Sequence, residues 1–232
     1  MGVDRQFWAN KTVLVTGHTG FKGAWLCLWL QKMGATVVGY ALDAPTKPNL
    51  FSVADVERGM TSITGDIRDI ETLQSVMSDH KPEIVFHMAA QSLVRYSYEA
   101  PLETYSTNVM GAVNLLEAVR LSHSVKSVVV VTSDKCYENK EWDRGYQEDD
   151  VLGGRDPYSN SKGCAELVTS AYRQSFFESA DDSGHPAAVA SARAGNVVGG
   201  GDWAQDRLIP DAMRAFTANR AMIVRSPNAI RP

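Results

Sequence analysis

Short runs of β-branched and apolar residues alternate with stretches of helical period along nearly the whole chain. TVLVT (12–16) predicts a strand. FKGAWLCLWLQKM (21–33) predicts a helix that Gly34 is placed to end, because glycine tolerates the left-handed cap conformation. The rhythm continues with strands at TVVGYAL (36–42) and TSIT (61–64), then an amphipathic helix IETLQSVMSD (70–79) that stops before Pro82. EIVFHMA (83–89) and KSVVVVT (126–132) predict two further strands, separated by a long helix over 101–122 with Pro101 near its start. A helix over 157–176, a strand AAVASAR (187–193), a helix over 207–219 and a strand AMIVR (221–225) complete the series. The polar, turn-rich FESADDSGHP (177–186) predicts a surface loop. Near-continuous apolar strands alternating with helices imply a mostly parallel sheet covered on both faces. Right-handed crossovers then make it a doubly wound, Rossmann-type α/β fold.

Composition narrows the setting. The chain has 232 residues, 44% hydrophobic and 22% charged, which fits one large domain or one domain plus part of a second. A net charge of −4 carries no nucleic-acid footprint. No apolar run is long enough to span a bilayer and the N-terminus lacks a secretory h-region, so the expectation is a cytoplasmic protein without membrane contact. Cys27, Cys136 and Cys164 are scattered and form no C-x-x-C, and the five histidines lack ligand spacing. Neither a disulfide framework nor a metal site is expected.

The first strand runs into GHTGFKG, with Gly17, Gly20 and Gly23 spaced G-x-x-G-x-x-G, and then into a helix. Glycines there permit a tight turn and close backbone approach to a pyrophosphate at the positive helix N-terminus. Thr19, Phe21 and Lys22 belong to the same turn. An acid at the end of the second strand is expected to hold the adenosine ribose, and Asp43 is there. No arginine adjoins it to take a 2′-phosphate, which favours NAD over NADP, although Lys47 stands close by. Ala89 and Ala90 end the fourth strand and are small enough to let a cofactor approach. Gln91, Ser92 and Arg95 follow at the edge where such sheets bind ligands, and Arg95 and Tyr98 are candidates for the sugar and diphosphate.

Tyr158 and Lys162 stand four residues apart, on one face of the helix that begins near Pro157. A phenol with an ordinary pKa near ~10 is a poor base at neutral pH, and an adjacent ammonium makes its phenolate accessible. Ser133, at the end of the preceding strand after Thr132, can hydrogen-bond the same substrate oxygen. It opens the run TSDKCYENK, in which an acid and a base, Asp134 and Lys135, come next. An ion pair between those two in a solvated turn is the plain alternative to a catalytic role.

These motifs resemble the extended branch of the short-chain dehydrogenase/reductase superfamily. VTSDKCYENKEW, MAAQSLVR, YSNSKGCAELV and RAGNVVGGGDWAQDR are similar to its nucleotide-sugar 4,6-dehydratases, most of all to the group acting on CDP-glucose. The resemblance implies that Asp66 and Ile67, after the third strand, contact adenine, with Asp66 as a helix N-cap the other reading. It implies that Asn108, in STNVMG on the long helix, belongs to the cofactor set, and that Thr132 does too. Asn196 then contacts the diphosphate, and Arg207 reaches a phosphate or forms a surface salt bridge. The implied chemistry is a redox-neutral elimination on a nucleotide sugar with NAD kept bound. In it Tyr158 takes the C4 hydroxyl proton, Asp134 protonates the leaving C6 hydroxyl, and Lys135 acts as C5 base or enolate stabiliser. A homodimer through the 101–122 and 157–176 helices is implied as well. Residues 1–195 read as the NAD-binding, catalytic domain and 196–232 as the start of a smaller substrate lobe. Members of the family run on well beyond NAIRP, so weak turnover is expected of this chain alone. Competing readings are a nucleotide-sugar 4-epimerase and a non-catalytic dinucleotide sensor.

Overall fold

A computed structural model describes residues 4–178 and 185–232; most of the loop expected at 177–186 lies outside the described residues. A short helix α1 (Arg5–Trp8) precedes β1 (Thr12–Thr16), α2 (Phe21–Lys32) and β2 (Thr36–Ala41). Next come α3 (Leu50–Val53), β3 (Thr61–Thr64), α4 (Ile70–His80) and β4 (Ile84–His87). Helices α5 (Val94–Glu99), α6 (Pro101–Tyr105) and α7 (Gly111–Arg120) lead to β5 (Ser127–Ser133). α8 (Pro157–Tyr172), β6 (Ala188–Ala194) and α9 (Leu208–Thr217) follow. The six strands are parallel in the order β3-β2-β1-β4-β5-β6, the doubly wound arrangement expected.

The alternation within β1 explains the layering. Val13 and Val15 point to one face with Ala24, Cys27 and Leu30 of α2. Leu14 points to the other, with Leu73 of α4 and Leu115, Leu116 and Val119 of α7. Each of these side chains is essentially inaccessible to water, and truncating one such leucine to alanine costs about 2–5 kcal/mol. Helix starts are set by local chemistry. The carboxylate of Asp69 accepts from the Thr72 amide at 3.1 Å and starts α4; Asp156 accepts from the Ser159 amide at 2.9 Å, with Pro157 at the first helical position of α8. Gly34 follows α2 with φ +88°, as a left-handed terminator should.

Three details differ from the sequence expectations. AMIVR forms no strand: no edge pairs with it among the described residues, and β propensity without a partner does not make a strand. The 101–122 helix is broken by a π-turn over Ser106–Met110. The sheet is not covered evenly either, because Ala188, Ala190 and Ala192 of β6 are exposed on one face, with no described helix returning over them.

Candidate active site

The chain reverses direction across the sheet between β1 and β4, which opens a crevice at their carboxyl ends. The hydroxyl of Thr16, at the end of β1, stitches the two strands there. It accepts from the Met88 and Ala89 amides at 3.1 and 3.2 Å and lies 2.8 Å from His87 Nδ1. Gly17 follows with φ +74°, and a Cβ on it would stand 2.7 Å from the Ala89 nitrogen. A Cβ on Gly23 would stand 2.2 Å from the Gly17 carbonyl oxygen, so only glycine lets α2 begin so close beneath the turn. Replacing Gly17 by alanine is expected to destabilise the protein by about 2–4 kcal/mol, from left-handed strain plus the backbone collision. Denaturant unfolding measures this directly.

The N-terminus of α2 has no side-chain cap, and a Cβ on Gly20 would meet nothing nearer than 3.3 Å. The first-turn N–H groups of Phe21 to Gly23 are therefore open to an anion, and the turn fits a dinucleotide pyrophosphate. Next to it, a cavity of about 290 Å³ is lined by Phe21, Lys22, Trp25, Val197, Val198 and Gly199. A larger cavity, about 420 Å³, lies at the opposite sheet edge between the ends of α4 and α7, and carries none of the candidate residues. Asp43 lies exposed just beyond β2, and the Thr19 hydroxyl donates to the neighbouring Leu42 carbonyl at 2.8 Å. Asp66 is not a helix cap; Asp69 is. The Asp66 carboxylate instead grips the Arg68 guanidinium at 2.5 Å, which holds it below the usual carboxylate range. Ile67 is buried between Asp66 and α7, where it closes over Gly111.

The π-turn explains Asn108. It turns the side chain inward, where its oxygen accepts from the Gln91 amide at 2.8 Å. Its nitrogen donates to the Gln91 carbonyl at 2.9 Å and to Ser161 Oγ at 2.8 Å. Both amide hydrogens are thus used internally, and Asn108 braces the end of β4 against α8. Gln91 is committed in the same way: its side chain bonds Thr104 Oγ1 and the Leu93 backbone. Both residues hold the site's walls, and their side-chain donors are not free for a ligand.

Tyr158, Lys162 and Ser133 converge as expected. Tyr158 sits on the first turn of α8, its amide held by Ser97 Oγ of α5 at 3.1 Å. Burial raises its phenol above the ordinary value, while the Ser133 hydroxyl beside it pulls the other way. Burial dominates, and the Lys162 ammonium turns instead to the Val131 carbonyl at 3.3 Å. Lys162 is itself lowered to about 8, first by burial and then by the Lys22 charge; Glu166 opposes the shift. Lys22 is lowered by burial and by Arg207. Lys22, Lys162 and Arg207 thus make the crevice a cationic pocket.

The turn after Ser133 holds the acid. Ser133 Oγ donates to Asp134 Oδ1 at 2.9 Å and accepts from the Lys135 amide at 3.2 Å. An Asp134–Lys135 ion pair does not form. Arg231 takes both carboxylate oxygens of Asp134, at 2.7 to 3.1 Å, and the Lys135 ammonium has no hydrogen-bond or ion-pair partner among the described residues. On the substrate side Arg207 pairs with Asp202 at 2.9 Å and reaches Ser92 Oγ at 3.2 Å, Arg95 pairs with Asp206 at 3.2 Å, and Asn196 is exposed. Among the described residues no cluster of potential metal ligands occurs, and no helix is long and apolar enough to cross a membrane.

The sequence profile described as GDP-mannose 4,6 dehydratase matches residues 14–180, from within β1 to beyond α8. The chain belongs to that family. It is 61% identical over 230 residues to a CDP-glucose 4,6-dehydratase of Salmonella typhimurium, covering 99% of this chain and 64% of the relative. The chain thus spans less than two thirds of that relative's length. A UDP-glucose 4-epimerase of Halalkalibacterium halodurans is 34% identical over 156 residues, 67% of this chain and 44% of the relative. Among solved structures, MoeE5 in complex with UDP-glucose and NAD superposes with a TM-score of 0.71 at 28% identity, covering 88% of this chain and 60% of that one. A DesIV double mutant, a dTDP-glucose 4,6-dehydratase from Streptomyces venezuelae, gives 0.76 at 24% identity over 89% and 62% of the two chains. At that identity the likeness speaks for the fold.

Proposed function

We propose that this chain forms the cofactor-binding and catalytic part of a 4,6-dehydratase that converts CDP-glucose to its 4-keto-6-deoxy product with bound NAD. One observation carries the reading. A carboxylate, Asp134, is hydrogen-bonded to the Ser133 hydroxyl that flanks Tyr158. Oxidising an alcohol needs the tyrosine, lysine and serine; it has no use for this acid. Similarity to the Salmonella CDP-glucose 4,6-dehydratase supports the same choice and the choice of nucleotide.

The open N-terminus of α2 and the Gly20 side of the turn would hold the pyrophosphate, with Asp43 at the ribose. When bound, NAD supplies the hydride acceptor for C4 and the hydride donor for C6. The chain's own groups move the protons. Tyr158 Oη removes the C4 hydroxyl proton, Ser133 Oγ, released from Asp134 once that carboxyl is protonated, donates to the same oxygen, and the Lys162 charge favours the phenolate. The new ketone acidifies C5; Lys135 would take that proton as a neutral amine, or as an ammonium would neutralise the enolate while another group takes it. Asp134 protonates the C6 hydroxyl as water leaves. While Arg231 occupies both of its oxygens, Asp134 cannot give a proton, so substrate entry has to draw the guanidinium away. A diphosphate is chemically suited to do so.

Substrate choice is tested by incubating the protein, extended to the relative's length, with CDP-, UDP-, GDP- and dTDP-glucose. The 4-keto product absorbs in alkali, and the reading expects CDP-glucose to be the preferred substrate; equal turnover of all four would remove the nucleotide assignment. Lys135→Met tests whether that residue acts at C5. A base role predicts that solvent deuterium exchange at C5 falls by about 10²–10⁴-fold; unimpaired exchange would take Lys135 out of the base role.

A homodimer is proposed through the stretches 101–122 and 157–176, which expose Leu102 (86%), Met110, Leu121 and Leu167 (60%). Replacing Leu102 and Leu167 together by aspartate is expected to yield a monomer by sedimentation velocity without unfolding.

A further inference from the structure

Glu166 is the one buried carboxylate among the described residues, it lies behind the catalytic pair, and the chemistry above gives it no task. It lies two turns beyond Tyr158 and one beyond Lys162, so all three side chains share one face of α8. Its exposure is only 5%. Every bond it makes fixes it there. One oxygen accepts from the Thr132 hydroxyl; the other accepts from Ser191 Oγ at 2.8 Å and from the Arg193 guanidinium at 3.0 Å. Thr132 adjoins Val131, whose carbonyl holds the Lys162 ammonium. Arg193 is fixed in turn by the Tyr137 hydroxyl and the Glu148 carbonyl, both at 2.9 Å, and stacks 4.8 Å from the Tyr137 ring.

We propose that Glu166 is a positioning residue for the Tyr158–Lys162 pair: its buried charge, locked by Thr132, Ser191 and Arg193, keeps Lys162 an ammonium beside the tyrosine.

A buried carboxylate without an electrostatic task would be a poor structural choice, since apolar residues of similar size fill such space at no desolvation cost. The other groups around Lys162 do not supply the charge. Lys22 of α2 opposes it, His87 of β4 is neutral with a pKa near 3, and burial pushes the Cys136 thiol to about 12. Tyr158, on its own helix, is protonated at rest. Of the groups facing the ammonium, Glu166 is therefore the one negative charge at neutral pH. Burial, with the Lys22 charge, brings Lys162 down to about 8 even with Glu166 opposing, close enough to neutrality that losing Glu166 matters.

The inference rests on the dehydratase reading for the use made of Lys162, but its test does not. Lysines are dimethylated with ¹³C-formaldehyde and titrated by NMR, the Lys162 signal being assigned by its absence in Lys162→Arg. Glu166→Gln keeps the shape and removes the charge; the Lys162 midpoint is expected to fall by about one pH unit. Glu166→Asp, which keeps the charge, is expected to restore most of it. If the single Gln variant fails to fold because Arg193 is left unpaired, Glu166→Gln is made in an Arg193→Gln background, and its Lys162 midpoint should lie about one pH unit below that of Arg193→Gln alone. An unmoved midpoint in a folded charge-removing variant would overturn the proposal. In the catalytic protein the alkaline limb of kcat should move acidward with the midpoint. A shifted midpoint with no dehydration in any variant would sink the dehydratase reading and leave the Glu166 assignment standing.

Discussion

On the dehydratase reading, Tyr158→Phe is expected to lower turnover of CDP-glucose by about 10²–10⁴-fold while leaving NAD binding and the fold in place, the range expected when a positioned acid–base group is lost. The phenol hydroxyl is the atom removed, and the polar groups nearest to it are committed elsewhere. Lys162 is directed to a backbone carbonyl, His87 is bonded to Thr16 and neutral, and Ser133 donates its proton to Asp134. The tyrosine is held by its backbone, through Ser97, so phenylalanine should keep the ring's packing. Turnover is measured by the 4-keto chromophore and binding by calorimetry with NAD. Turnover within threefold of the parent would remove Tyr158 from the base role. Loss of turnover with NAD binding intact would reject the sensor reading.

Asp134→Asn is the second large effect and the more diagnostic. The variant should still oxidise C4, because Tyr158, Lys162 and Ser133 are unchanged, yet it should protonate the C6 hydroxyl about 10²–10⁴-fold more slowly. Reduced nicotinamide and a 4-keto hexose that has kept its C6 oxygen are expected to accumulate, visible as a rise at the nicotinamide absorbance within one turnover. If Asp134 served only to anchor Arg231, its loss would weaken substrate binding and leave no such accumulation. An epimerase would pass the same C4 oxidation but would have no step for Asp134 to limit.

What the sequence could disclose follows from distance along the chain. β1 and β3 coincide with the expected boundaries, because short apolar runs bounded by turn residues carry their own signal. Gly17 and Gly23 were legible as a motif, although their reason, the Ala89 backbone against one and the Gly17 carbonyl against the other, is tertiary. Tyr158 and Lys162 were legible because four residues on a helix fix a face. By the same spacing Glu166 was available, two turns on, but a glutamate in a helix looks like a solvated residue until β5 and β6 are seen to bury it. Asn108 and Gln91 were visible as polar residues near the cleft; that their side chains bond one another's surroundings depends on the π-turn, which no local pattern announces. The Arg231–Asp134 pair joins residues 97 apart and had no sequence signal.

The account's central claim is an elimination in which hydride leaves C4 and returns to C6 of the same sugar. CDP-glucose deuterated at C4 tests it most directly, with the product examined by mass spectrometry and NMR. The account predicts a product lighter by one water, with the deuterium now on C6 and none lost to solvent. A product of unchanged mass with deuterium still at C4 would contradict it and assign the site to epimerisation.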